Sequence, residues 1–415
     1  VELEVPETAD ESAVLAQASP PAEVTFARIG IAILNLPAVE PAGTNQHHSL
    51  PDPETVYARV VDRLNADSRV SEVRAPSASS NKFRSLAFSA MRTTTSSLSA
   101  EPAPPHQHVH ALSFRDPIAF SVNVPRRLQA SADAAHTVPT EKYWAAWDGV
   151  VLFIGWTSTA PSPFGSAAGL SVLEVLRDAI REAGYSLRSQ PCGPSCNYPF
   201  AHQDLLVDSA STHSEVRLEE LDRWTTRIKT PIAGDRLSLA SNLVSEFSYL
   251  GNVFAHLRSN GQVVRQSERA ARKDLGDLLR LQYERAAITA MDPLRSIPER
   301  WRKRSNSSAT ARLIAGLWLR LASLDQNKRN WDADRYRYDQ SGTEGDARLL
   351  FRSEFPDEVN GIETLDIDSL QASLVQMSAQ ADSRSLAWAT AVGALAGGVL
   401  GAALGAVFGA ISGQG

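Results

Sequence analysis

Apolar residues follow two different periods along this chain, and the change falls near residue 230. TFARIGIAILNL (25–36) is a nearly continuous apolar run around Ile29, Ile31 and Ile33 and predicts a buried strand. Asp52-Pro53 is a helix start, and Val56, Val60 and Leu64 then share one helical face. Strands are predicted at His108–Phe114 and Ile118–Val124, with Asp116-Pro117 as the turn between them. WDGVVLFIGW (147–156) reads as one further buried strand. Leu173, Leu176 and Ile180 mark an amphipathic helix over 170–183, closed by Gly184, and QDLLVDSA (203–210) returns to a strand. Interleaved strands and helices predict an α+β domain over residues 24–225, with a ferredoxin-like core carrying insertions as the candidate arrangement.

Beyond residue 235 the spacing is helical. Three helices are predicted, at 236–259, 262–291 and 306–336, with Gly261 separating the first two and Pro298 preceding the third. Residues 337–362 read as a polar connection. A last helix begins near Asp366 with Ile367, Leu370, Leu374, Met377 and Ala381 at alternating spacings of three and four, as in a coiled-coil seam. The expected organisation is a disordered acidic tail (1–23), the α+β domain (24–225), an α-helical domain or stalk (236–384) and a C-terminal glycine-rich transmembrane helix (385–413).

The tail carries the strongest sequence signal. Residues 386–412 contain no charged side chain, and glycine recurs every fourth position at Gly393, Gly397, Gly401, Gly405, Gly409 and Gly413. As a helix the stretch is roughly 40 Å long, more than the ~30 Å hydrocarbon core of a bilayer. Arg384 and Trp388 stand where a membrane-interface cation and ring belong. Small residues in register let helices approach closely in lipid, so the glycine series points to a self-associating span. The acidic N-terminus lacks an apolar run, so no secretory signal is expected. The expected topology is a single pass with the N-terminal bulk cytoplasmic. Val1 fits a GTG start and a bacterial source.

Composition adds exclusions. A net charge of −6 argues against a general nucleic-acid binder. Arg300, Arg302, Lys303 and Arg304 form a basic run with Trp301, a candidate contact for anionic lipid headgroups or for a phosphate-bearing ligand. RNWDADRYRYD (329–339) alternates charge signs and is expected on a helix surface. Cys192 and Cys196, with His202 and the HQHVH segment (His106, His108, His110), are candidate zinc ligands, and the two thiols a candidate redox pair, but the usual Cys-x-x-Cys spacing is absent and a structural turn is expected instead. Asp148, Asp204 and Asp208 are candidates for an acidic site at strand ends. Phosphate loops, nucleophile elbows, HExxH, kinase and dinucleotide signatures are absent from the sequence, so no motif identifies a reaction and no cofactor is expected.

In the order of its elements over residues 25–412, the chain resembles CorA-like divalent-cation channels, which place an α+β cytoplasmic domain and a helical stalk before C-terminal spans. Those channels have two spans and a Gly-Met-Asn tripeptide; this sequence has one candidate span and no such tripeptide, and no functional residue is carried over. The layout is also similar to membrane effectors of bacterial conflict systems, including the caspase- and TPR-associated families. That resemblance implies a soluble sensing domain joined to a span that damages or depolarises the membrane. The expectations are therefore a membrane-anchored, self-associating sensor/effector, a CorA-like channel, or a tail-anchored enzyme. Membrane lipid, further copies of the chain and a protein encoded nearby are the expected partners.

Overall fold

The computed structural model describes residues 24–37, 50–91, 106–129, 140–158, 169–190, 193, 196, 198–209, 214–232, 234–291, 297–341 and 347–379. An N-terminal mixed sheet domain is followed by a helical region. Among the described residues eleven strands build the sheet: β1 (Val24–Leu36), β2 (Val70–Arg74), β3 (Phe83–Met91), β4 (His106–Phe114), β5 (Ile118–Asn123), β6 (Lys142–Trp147), β7 (Val151–Ser158), β8 (Ser186–Ser189), β9 (Asp204–Asp208), β10 (Arg217–Glu220) and β11 (Thr225–Lys229). The main path runs β10-β11-β9-β1-β7-β6-β5-β2, and β3 pairs with β4 beside it. All pairings are antiparallel except β11 with β9.

β1 is the pivot. Its first half pairs with β7 (Val24↔Ser158 to Ile31↔Val151) and, on the other edge, with β9 (Thr25↔Val207 to Ala27↔Leu205). Its second half pairs with β8 (Ala32↔Ser189 to Asn35↔Ser186) and β4 (Asn35↔Ala111, Leu36↔His110). A strand flanked on both edges and covered on both faces reads as a near-continuous apolar run, and the charge it does carry, Arg28, is paired. Side-chain alternation sends Ala27, Ile29, Ile31 and Ile33 to one face and Phe26, Ala32, Leu34 and Leu36 to the other.

The second face is covered by α1 (Pro53–Ala66) and α2 (Leu170–Glu182). Asp52 caps α1, accepting from Thr55 N at 2.9 Å, and buries Val56, Tyr57, Val60 and Leu64. α2 buries Leu173, Leu176 and Ile180 and ends before Gly184, whose φ of +89° suits the left-handed cap. WDGVVLFIGW is not one strand. Trp147 ends β6, Asp148-Gly149 turns, and β7 starts at Val151. Gly149 has φ +92°, and a Cβ there would meet the Leu112 carbonyl oxygen.

The first face is covered by α3 (Arg236–Met291), a single helix of 56 residues rather than two. Asp235 caps it and pairs with Arg74 at 2.6 Å. Leu237, Leu243 and Phe247 belong to the core shared with the sheet, Phe254 stacks on Phe351, and Gly251 lets the helix backbone come close to Val151. α4 (Ile297–Ser341) runs antiparallel to α3, as the pairs Phe254–Tyr338, Asn260–Asp334 and Asp274–Arg320 show. Pro298 falls in its first turn, where a missing N–H costs nothing. Within 329–339 only one side is a charged surface: Trp331, Asp334 and Tyr338 are buried at helical spacing, while Lys328–Asp332 and Arg329–Asp325 pair outside. The stretch expected as a polar connection is mostly helical, with a turn at Ala347–Phe351 and α5 (Glu354–Glu363). α6 (Ile367–Ala379) begins where Asp366 accepts from Ser369 N and buries Leu370, Leu374 and Met377.

Candidate functional site

A helix face, a strand end and a turn meet in a polar cleft of about 120 Å³. Its walls are Arg258, Gln262, Arg265, Gln266 and Arg269 of α3, Gln190 just after β8, and Gly193. The α3 residues recur at spacings of four, three, one and three, which places them on one side of the helix. β8 brings Gln190 there because its pairing with β1 ends at Ser189↔Ala32.

Three guanidiniums line this wall, and a fourth, that of Arg188, adjoins it through Gln262. Arg258 (5% exposed) and Arg265 (11%) both bind the fully buried Glu358 carboxylate of α5, Arg265 at 2.8 Å. Arg188 donates to Gln262 Oε1 at 2.7 Å. Burial pushes the Arg188 guanidinium below its ordinary pKa, and it remains charged at physiological pH. Among the described residues neither Arg188 nor Arg269 has a carboxylate within ion-pair distance. Gln190 is 4% exposed. Its Nε2 donates to Ala255 O at 3.0 Å and to Ser259 Oγ at 2.5 Å, and its Oε1 has no partner. The cleft thus combines positive charge with one idle buried acceptor.

Beyond Gly193 lies a second polar corner. Cys196 N donates to Gly193 O, and Cys196 Sγ lies 3.2 Å from His202 Nε2. Tyr198 stacks over His202 and accepts from Arg28 Nη1. Arg28 Nε donates to Asp204 Oδ1 at 2.8 Å, both side chains being 5% exposed. His202 N donates to Glu354 Oε1, so α5 is tied to this corner at its start and to the arginine wall at Glu358.

The residues singled out from sequence are scattered. Cys192 lies outside the described residues. Cys196 and His202 do come together. The HQHVH segment does not join them: His110 faces Leu36, whereas Phe200, two residues before His202, bridges Gly30 from the opposite edge of β1, about 20 Å along the strand. Among the described residues no group of three or more His, Cys, Asp or Glu is placed to hold a metal. The three aspartates do not form one site. Asp204 binds Arg28 on the α1/α2 side, while Asp148 points to the α3 side, where Val150 N, Val151 N and Ser248 Oγ donate to it. Burial pushes the Asp148 carboxyl up to about 6. Arg300, Arg302, Lys303 and Arg304 fall within α4, but their side chains lie outside the described set, as do Arg384, Trp388 and the whole glycine series. Among the described residues no helix is long and apolar enough to cross a membrane.

The arginine wall was missed by the sequence reading. Its signal was present in LRSNGQVVRQSER, where Arg258, Gln262, Arg265 and Arg269 keep helical spacing, but the helix break expected at Gly261 divided the stripe. Compared with known proteins, the chain matches no family model, no curated protein and no solved structure.

Proposed function

We propose that the chain is a membrane-anchored, self-associating sensor/effector. In this reading the sheet domain receives a signal, the helical region carries it, and the glycine-rich tail acts in the membrane. One observation carries the middle step. α3 is a continuous helix whose first part packs on β6 and β7 and whose remainder packs on α4, α5 and α6. A displacement at the sheet is therefore passed along a stiff element rather than absorbed in a linker. α6 ends at Ala379, a few residues before the uncharged stretch 386–412, so the tail follows directly from the packed helices.

β1–α1–β2 and β7–α2–β8 are taken as the two β-α-β halves of a ferredoxin-like core, with β3–β4 and β5–β6 as insertions.

The anchor is tested by fractionating cells that express the full chain or a chain ending at Ser383. The full chain should sediment with membranes and the shortened chain should not. Equal solubility of the two would remove the tail from the mechanism.

The contact between Cys196 Sγ and His202 Nε2 favours a second reading, a tail-anchored enzyme with a thiol nucleophile and an imidazole base. In that case alkylation of Cys196 should slow on His202→Asn. An unchanged rate would leave the pair a structural contact.

A further inference from the structure

The arginine cleft is built like a receptor for an anion that also brings a hydrogen-bond donor. Guanidinium groups present forked N–H donors that match the oxygens of a phosphate. Four of them line or adjoin this wall, two held by the buried Glu358 and two without a carboxylate partner among the described residues. Glu358 leaves the group cationic overall. A cation cluster of this kind is costly to assemble next to a desolvated Arg188 unless an anion joins it.

Gln190 is the second, independent observation. A buried amide oxygen normally has a donor. Both Nε2 hydrogens are committed to Ala255 and Ser259, which fixes the orientation of the amide and leaves Oε1 idle. An inorganic anion without a donor would leave that oxygen idle still. A hydroxyl carried by the ligand would satisfy it. The volume of about 120 Å³ is several times the ~10–15 Å³ that admits one water. That holds a phosphate group with a short hydroxylated carbon skeleton, and the half-open side leaves room for whatever is attached to it.

We propose that this cleft binds a phosphate monoester bearing hydroxyls, either a free sugar phosphate or the ribose phosphate end of a nucleotide, with Arg188, Arg265 and Arg269 on the phosphate and Gln190 Oε1 accepting from a hydroxyl. The proposal does not depend on the tail entering a membrane. It does name a signal that the chain could receive, because Arg265, one of the three, also holds Glu358 and, through it, α5.

The test is calorimetric titration of the full chain in detergent, at fixed ionic strength, with ribose 5-phosphate, AMP and inorganic phosphate. The first two should bind saturably and more tightly than inorganic phosphate. Tighter binding of AMP assigns the site to a nucleotide; equal binding assigns it to the sugar phosphate alone. Arg188→Gln and Arg269→Gln should each weaken binding by about tenfold. Both remove a cation with no ion-pair partner, so the apo melting temperature should hold and report intact folding. Arg59→Gln, on an exposed position of α1, should change nothing. No saturable binding of either ester up to about 10 mM, or binding indifferent to Arg188 and Arg269, overturns the proposal. Inorganic phosphate binding as tightly as the esters overturns the role given to Gln190.

Discussion

The Glu358 carboxylate occupies the space that a side chain at Gly261 would fill. A Cβ built on Gly261 would lie 1.7 Å from Glu358 Oε1. This glycine is therefore not a helix break. It is the opening through which α5 delivers its acid to Arg258 and Arg265.

Gly261→Ala should destabilise the protein by about 3 kcal/mol, since the methyl group displaces a buried, doubly paired carboxylate. Gly276→Ala, on the same helix with no heavy atom within 4 Å of the added Cβ, should be neutral or stabilising by up to ~1 kcal/mol. Urea denaturation of the two variants reads the difference. A stabilising Gly261→Ala would show that the Glu358 contact is not made.

Two buried groups give opposite pH dependences. Burial raises the Asp148 carboxyl to about 6, so its contribution is full below the ordinary aspartate range and is lost as pH rises through 6, at most roughly 3 kcal/mol. His256, stacked on Phe88 at 4.3 Å, is lowered to about 4, chiefly by burial and then by Arg337 and Arg84. Its contribution is full above the ordinary histidine range and is lost as pH falls toward 4. The two slopes oppose each other between pH 4 and 6 in the unmodified chain. Asp148→Asn should make stability climb more steeply with pH there, and His256→Phe should make it fall. Thermal melts across that interval check both signs; parallel profiles for the two variants would contradict the assignment.

Arg28 and Asp204 form a buried pair across β1 and β9. Asp204→Ala leaves a buried guanidinium without its carboxylate and should cost ~3–5 kcal/mol. Arg28→Met with Asp204→Leu should cost less than that single change, because both charges leave together. A double-mutant cycle by chemical denaturation measures the coupling, and additive single effects would mean that the pair is not coupled.

In the tail, Gly401→Leu with Gly405→Leu separates a tether from an assembly. Leucine favours insertion by a few tenths of a kcal/mol per residue, so a simple anchor should tolerate it. A glycine-packed assembly should lose its crosslinked species, since the larger side chains force the backbones apart. Unchanged crosslinking with intact insertion leaves only a tether.

The sequence made the buried and amphipathic elements legible. β1, α1, α2 and α6 follow from apolar period and from caps at Asp52, Gly184 and Asp366. The edge strands β2 (VSEVR) and β10 (RLEE) were not legible, because a half-exposed strand carries charge and borrows its conformation from its neighbour. WDGVV hid a turn because Asp148 and Gly149 are both enclosed, against the expectation that turns face water. The unbroken α3 was illegible for a tertiary reason: Gly261 reads as a breaker until Glu358, about a hundred residues later, is brought against it. The arginine wall vanished with that misreading, and Gln190 could not be found at all, since its idle oxygen exists only once β8 meets α3.

β1 also sets the timetable of synthesis. Thr25 must wait for Thr157 on one edge and Val207 on the other. At ribosomal rates of about 5–20 residues per second, the later partner emerges on the order of 10 s or more after β1 itself. Through that interval the nascent chain displays an apolar strand with both edges open, a form that pairs readily with the wrong neighbour. Holding that segment until β9 is made is a task for a chaperone at the ribosome, and the burden comes from placing the first strand at the centre of the sheet.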